Sequence, residues 1–419
     1  MELMTTAMVP RVKIAAAIIG ASALALLAAM NGQARAAGGR AGAPASQHRP
    51  ASPNANAEAD ADAGLIDLIS PRIGVANVEF NGIGGASLML TTNFGRTFTS
   101  IGPKPGRDTV PDAIYFLDRL HGWFATFNVA TLAETLYRTT NGGRTWRASL
   151  VPGHNDAGGA RDSLQFLTPR LGYLTAVEPT APREGLYRTT DGGATWRLLA
   201  ATQLGGHGSG VLPGLGDVVF QPGGKVGWLA DTFGSGLERT ADGGRAWHPA
   251  SIRAPHGALL GLPSIFGRTV TEPVTIERGD LGGVDRSASL RLYVSANDGK
   301  TWVLGSTLAR AASPACTGPL LTSLPAGAAP WLAAFRDHHL VVSRPSGPRS
   351  AWIGHVTSAP VPSGVCGPAQ IAGAGTATAW LATAGRSGAE LIYVTRDGGR
   401  TWHRIDQAVL AALHTRRGA

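Results

Sequence analysis

The sequence predicts an all-β fold, a seven-bladed β-propeller of four-stranded antiparallel blades, and three observations predict it. One short phrase recurs at intervals close to 50 residues, as in "LYRTTNGGRTW" at 136–146 and "LYRTTDGGATW" at 186–196. A second phrase precedes most copies by about two dozen residues. The composition, 57 Gly, 27 Pro and 16% charged residues in 419, suits short strands joined by many turns better than long helices.

In chain order, the first element is an export signal at residues 1–36. Arg11 and Lys13 make its positive lead, Ile14 to Met30 its apolar stretch, and Ala34, Arg35 and Ala36 its cleavage region. This places the mature chain outside the cytoplasm, secreted or periplasmic. An uncleaved anchor stays open as a second reading, because the apolar run is at the short end of what spans a bilayer. Losing Arg11, Lys13, Arg35 and Glu2 takes the formal charge from +9 to +7. The mature chain stays basic, which favours anionic neighbours such as acidic polysaccharide, phospholipid head groups or an acidic protein. Residues 37–63 are rich in Ala, Pro, Gly and Asn without a large apolar side chain, and predict a disordered lead.

Residues 64–406 hold the repeats. The first phrase closes on Phe98, Trp146, Trp196, Trp247, Trp302, Trp352 and Trp402, the copy at 340–352 being degraded. Each copy alternates apolar and polar residues, turns at a glycine and resumes with Thr and Trp, the pattern of two antiparallel strands and their hairpin. Asn141, Asp191, Asp242, Asp298 and Asp397 are assigned to accept hydrogen bonds from backbone N–H groups in the turn, and the following glycine supplies positive φ. The closing aromatic is assigned to the packing between units. The second phrase, as in "SLQFLTPRLGYLTA" at 163–176, adds a strand, a turn and another strand. Four strands in about 50 residues is one propeller blade. All ten Trp fall on two repeat positions: the box, and the second strand at Trp123, Trp228, Trp331 and Trp380. Residues 407–419 form a C-terminal tail.

The [ST]-x-D-G-G-x-T-W turn resembles the Asp box, or bacterial neuraminidase repeat, of sialidases, sortilin-type receptors, xyloglucan-active glucanases and photosystem II assembly and stability factors. Seven contiguous units look most like the last group, which implies a non-enzymatic scaffold or assembly factor for an envelope protein. The resemblance also places the boxes away from the active sites of the enzymes that carry them. Asn93 and Phe98 in the first copy depart from the pattern, and the sixth copy has lost its acid.

The loops opposite the boxes are therefore the place for function. They carry Arg107, His154, Arg161, His207, Arg253 and His256, read either as a ring of cations that binds a carboxylate, phosphate, anionic glycan or acidic peptide, or as ordinary solvated loop residues. The three histidines lack a short ligand spacing, and no metal or other cofactor is expected. A sialidase needs an Arg triad, a Tyr nucleophile and usually an Arg-Ile-Pro motif; the only Arg-Ile pairs here are at 72–73 and 404–405, and the tyrosines sit in repeat strands. The balance is against an enzyme. The alternative is a carbohydrate-active protein, a lectin-like binder or a glycoside hydrolase using Asp112 and Asp162, which needs the two carboxylates about 5 to 10 Å apart. Nucleic acid is not expected as a partner, and the chain is expected to be monomeric. Cys316 and Cys366 each lie 14 residues beyond a box Trp, Trp302 and Trp352. Equivalent positions on adjacent blades make a disulfide feasible in an oxidising compartment, with two free buried thiols as the other reading.

Overall fold

A computed structural model of the chain describes residues 61–62, 66–80, 86–106, 109–128, 130–131, 133–151, 163–178, 183–203, 215–231, 236–256, 258–266, 268–278, 287–310, 321–322, 331–336, 339–344, 355–360, 365–385 and 390–405. They form an all-β propeller whose strands group into seven antiparallel sheets, taken here as blades 1 to 7 in chain order. Blade 2 is Thr109–Phe116, Gly122–Asn128, Ala133–Thr139 and Arg147–Leu150, each strand paired with the next. Blades 3, 4, 6 and 7 repeat this four-strand meander, opening at Ser163–Phe166, Leu215–Phe220, Leu321–Thr322 and Val365–Ala374. In blades 1 and 5 the inner strand is broken in two. Ala61–Asp62 and Ile66–Leu68 both pair with Gly74–Phe80, and Leu259–Leu260 and Ser264–Phe266 both pair with Thr269–Arg278. Ala61–Asp62 lies ahead of residue 64 and joins this sheet because Gly74–Phe80 runs past Ala76, the partner of Ile66, to pair with it at Glu79 and Phe80.

Second strands are buried on both faces, as the run Gly122 to Thr126 shows, because each sheet is sandwiched between two others. That explains why these strands read as continuous apolar runs with no clean alternation. The core is divided into clusters at the seams between blades. Tyr115, Trp123 and Leu136 of blade 2 pack on Phe166, Leu174 and Tyr187 of blade 3. Trp123 and Phe166 stack at 3.6 Å, and Tyr173 and Phe220 repeat the motif one seam later at 3.7 Å. The ring closes by packing. Ile66, Met89 and Phe98 of blade 1 share a cluster with Trp380, Ile392 and Ile405 of blade 7.

Six blades, 1 to 5 and 7, carry a described box turn. The hairpin of blade 6, residues 345–354, lies outside the described residues. In each box the Thr or Ser that ends the third strand accepts the N–H of the glycine four residues on, at 2.9–3.0 Å. Its hydroxyl donates to the Oδ1 of Asn93, Asn141, Asp191, Asp242, Asn297 or Asp397. That Oδ1 in turn accepts the backbone N–H four residues further along.

The fifth box corrects the assignment of Asp298. Its acceptor is Asn297, and Asp298 stands where the boxes of blades 2, 3, 4 and 7 have their first glycine and that of blade 1 has Phe94, at φ +60°. The register is set by the Ser295 hydroxyl, two residues before Asn297, as Thr189 is before Asp191. The described box tryptophans, Trp146, Trp196, Trp247, Trp302 and Trp402, are half-buried. Trp196 and Trp247 meet Phe166 and Phe220 edge-on at 6.0 Å, whereas Trp123, Trp228, Trp331 and Trp380 of the second strands are fully buried.

Burial acts to raise the Asp191 carboxyl, but hydrogen bonds from the Thr195 hydroxyl and N–H and from Thr189 outweigh it and bring it down to about 2. Asp191→Ala is expected to cost about 1–2 kcal/mol through the lost turn bonds. Asp191→Asn should stay within about 0.5 kcal/mol of the parent, because Asn141 makes the same contacts, with its Nδ2 donating to Thr145 at 2.8 Å. Urea titration of both variants checks the pair; equal losses would mean that the negative charge, and not the acceptor, holds the turn.

Candidate functional site

The meander fixes two ends. The turn between the first two strands and the box hairpin lie together, tied by bonds such as Gly142 N–H to Leu120 O, Gly192 N–H to Arg170 O and Gly243 N–H to Lys225 O, each 2.9 Å. The second turn of each blade and the connection to the next blade lie at the other end, where function was expected.

Of the expected cation ring, Arg253 and His256 are described. Both are exposed on the connection between His248–Pro249 of blade 4 and Leu259–Leu260 of blade 5. Arg107, His154, Arg161, His207 and the proposed acid Asp162 lie outside the described residues. Asp112 lies in the inner strand of blade 2 at a register shift between Pro111 and Ala113, so its backbone forms a bulge, and its side chain lies outside what is described. Cys316 is likewise outside, and Cys366 is placed only by its backbone, in Val365–Ala374. Among the described residues no group of three His, Cys, Asp or Glu side chains is arranged to hold a metal ion.

Polar side chains that sequence reasoning passed over sit in the seams. Asp67, on the inner strand of blade 1, accepts the Phe116 N–H of blade 2 at 2.6 Å. The Tyr115 hydroxyl reaches the Phe166 carbonyl of blade 3 at 2.8 Å, and Gln165 brackets Phe220 of blade 4 through both its N–H and its carbonyl. One inner-strand position therefore hands a hydrogen bond to the next blade three times in succession. The second strand repeats the device: the Trp123 indole donates to Gly192 O, and that of Trp331 to Gly375 O, each at 2.9 Å.

The arginines of the box strands work similarly. Arg138 donates to the Asp191 and Pro169 carbonyls, Arg239 to the Asp298 carbonyl at 2.7 Å, and Arg344 to the Gly398 carbonyl at 3.0 Å. They clasp backbone carbonyls of the next blade at its box end. In the same seam as Arg239, the Asp298 carboxylate takes Gln221 of blade 4 at 3.0 Å and Arg268 at 3.3 Å.

Among the described residues the carboxyls of Asp67, Glu134 and Glu272 are buried. Burial pushes Asp67 up from 3.8 to about 7 against the opposing hydrogen bonds from Phe116 and Leu68. Burial also drives Glu272 well above 4.5, outweighing the Gly261 N–H, whose own bond runs to Pro273 O at 2.9 Å. Glu272 pairs across the sheet with Tyr293, the register at which blades 2, 3 and 7 have Phe124, Leu174 and Leu381. Single acids within "LIDLI" and "TVTEPVTI" were the available signal for Asp67 and Glu272.

The BNR/Asp-box repeat family matches the chain at residues 393–404. No curated protein matches it significantly in sequence. Among solved structures it is similar to YCF48 from Cyanidioschyzon merolae, at 17% identity and TM-score 0.43 over 72% of this chain and 86% of that one. It is also similar to the GH74 xyloglucanase from Xanthomonas campestris, at 14% identity and TM-score 0.38 over 83% and 68%. A structure from a mechanistic study of two prolyl endopeptidases is similar at 10% identity and TM-score 0.51, covering 82% of this chain and 49% of that one. These are likenesses of fold. The protein is a β-propeller with a recurring box turn, of which the copy in blade 7 matches the BNR/Asp-box repeat.

Proposed function

We propose that the chain is an exported, non-enzymatic binding scaffold for an envelope protein, engaging it through the loop-bearing end opposite the boxes. The observation that carries this reading is the connection at 250–258, which sets the exposed Arg253 and His256 on that end of a ring whose seams are cross-bonded. Arg forks suit carboxylates on a partner, and a stiff ring loses little conformational entropy on binding. Conserving the ring while varying the loops is how a propeller acquires a new partner.

The test is a crosslinking pull-down from the producer's envelope with the parent and with an Arg107→Ala, Arg161→Ala, Arg253→Ala, His256→Ala variant of unchanged melting temperature. A specific protein captured by the parent and lost by the variant is the expected result. Capture of a polysaccharide instead would make the chain a glycan binder and call for a hydrolysis screen with aryl glycosides. Equal capture by parent and variant would remove this end from the reading.

A further inference from the structure

The box end of the ring has a chemistry of its own. The turn between the first two strands carries an exposed base on each of blades 1 to 5: Arg72, Arg119, Arg170, Lys225 and Arg268. The box hairpin adds exposed Arg96, Arg144, Arg245, Lys300 and Arg400 on blades 1, 2, 4, 5 and 7. Because the two turns are hydrogen-bonded to each other within a blade, these bases form two neighbouring arcs at one end.

The acids at this end are engaged locally. Asp191, Asp242 and Asp397 turn their carboxylates onto N–H and hydroxyl groups of their own boxes. Asp118 binds His121 at 2.8 Å and the N–H groups of Leu120 and His121. Asp298 takes Gln221 and Arg268. Those five carboxylates stay charged, and Arg268 is paired with one of them, but ten bases stand against the five, so the net field that this end presents outward is positive.

We infer that the box end seats the propeller on an anionic lipid bilayer. The bases are spread over six blades and not gathered at one, so only a laterally continuous anionic surface meets them together; a peptide or a single nucleic-acid strand crosses a few. Trp146, Trp196 and Trp247 are packed edge-on against Phe116, Phe166 and Phe220 and offer no stacking platform for bases. Leu120, half-exposed at 51% beside Arg119, gives the same end an apolar tip suited to the head-group boundary. Such a seat leaves the opposite end facing away from the membrane. The inference does not depend on the proposed protein partner, and either can fail alone.

The test is flotation of the full chain with vesicles of phosphatidylcholine alone and of phosphatidylcholine with phosphatidylglycerol. The parent is expected to prefer the anionic vesicles by at least about tenfold at low salt, the preference shrinking toward parity as ionic strength rises past the physiological range. An Arg119→Gln, Arg144→Gln, Arg170→Gln, Arg245→Gln variant should lose about tenfold in partitioning at an unchanged melting temperature, while Arg253→Gln at the other end keeps the parental value. Equal partitioning on the two vesicles overturns the inference, and this arm needs no variant. So does a folded quadruple variant that floats like the parent, or displacement of the parent from anionic vesicles by polyglutamate at matched charge, which would mark the face as a site for a soluble acidic polymer.

Discussion

Trp123→Ala is expected to lower the stability of the propeller by about 3–5 kcal/mol, while Trp146→Ala costs less than half of that. Both residues are repeat tryptophans of blade 2, and the difference follows from where each ring goes. Trp123 is fully buried, stacks on Phe166 of the next blade at 3.6 Å and donates its indole N–H to Gly192 O at 2.9 Å. Truncation removes the stack, opens a cavity in the seam and strands a carbonyl that belongs to the neighbouring box. Trp146 is half-buried, meets Phe116 edge-on at 6.3 Å and donates its indole N–H to the Gly143 carbonyl of its own box and to the Ile101 carbonyl just after the last strand of blade 1. Trp123→Phe separates the parts, since it keeps most of the apolar contact and loses only the hydrogen bond. Urea unfolding of the three variants measures this. A loss under about 1 kcal/mol for Trp123→Ala would mean that the seam between blades 2 and 3 relaxes around the gap and is not what holds the ring.

The two tryptophan positions were legible because the features that specify a blade are local. Turn hydroxyls, the Asn or Asp acceptor and the positive-φ glycine lie within a few residues of each other, so the same solution is spelled at each copy. The misassigned box shows the limit of that spelling. In "SANDGKTW" two adjacent residues both carry a side-chain oxygen, and only the distance from Ser295 selects Asn297. Seam chemistry was hidden for a different reason. Asp67 meets Phe116 and Arg138 meets Asp191 across about 50 residues of sequence, and neither partner carries a mark of the contact. The proposed binding face is harder still, because the connections between blades follow no repeat. Arg253 and His256 are exposed on one of them, whereas the bases of the box end, such as Arg170 in "LTPRLG", sit inside the repeated phrase and were read there only as turn residues.

The buried carboxyl of Asp67 makes the stability of the ring depend on pH, and Asp67→Asn is expected to remove most of that dependence. A carboxyl raised from 3.8 to about 7 keeps its proton in the folded chain over a range where the unfolded chain has lost it. The folded state then binds more protons than the unfolded state, so stability falls as pH rises across that window. The contribution is fully present below 3.8 and is lost once pH passes about 7. Its full size is on the order of 4 kcal/mol. Asn at this position keeps an oxygen for the Phe116 N–H and carries no charge to desolvate, so the variant should be more stable than the parent at about pH 8 and no more stable at about pH 4. Tyr115, packed in the same region, stays neutral throughout, since burial and then the Asp67 charge push its hydroxyl up. Glu272 is shifted in the same direction and adds to the slope, which makes Glu272→Leu the second arm: it restores the apolar side chain that blades 3 and 7 have at this register. Urea midpoints of the parent, the two single variants and the double variant across this range decide the matter. Parallel pH profiles for Asp67→Asn and the parent would show that Asp67 reaches water in solution and that the first seam opens enough to hydrate it.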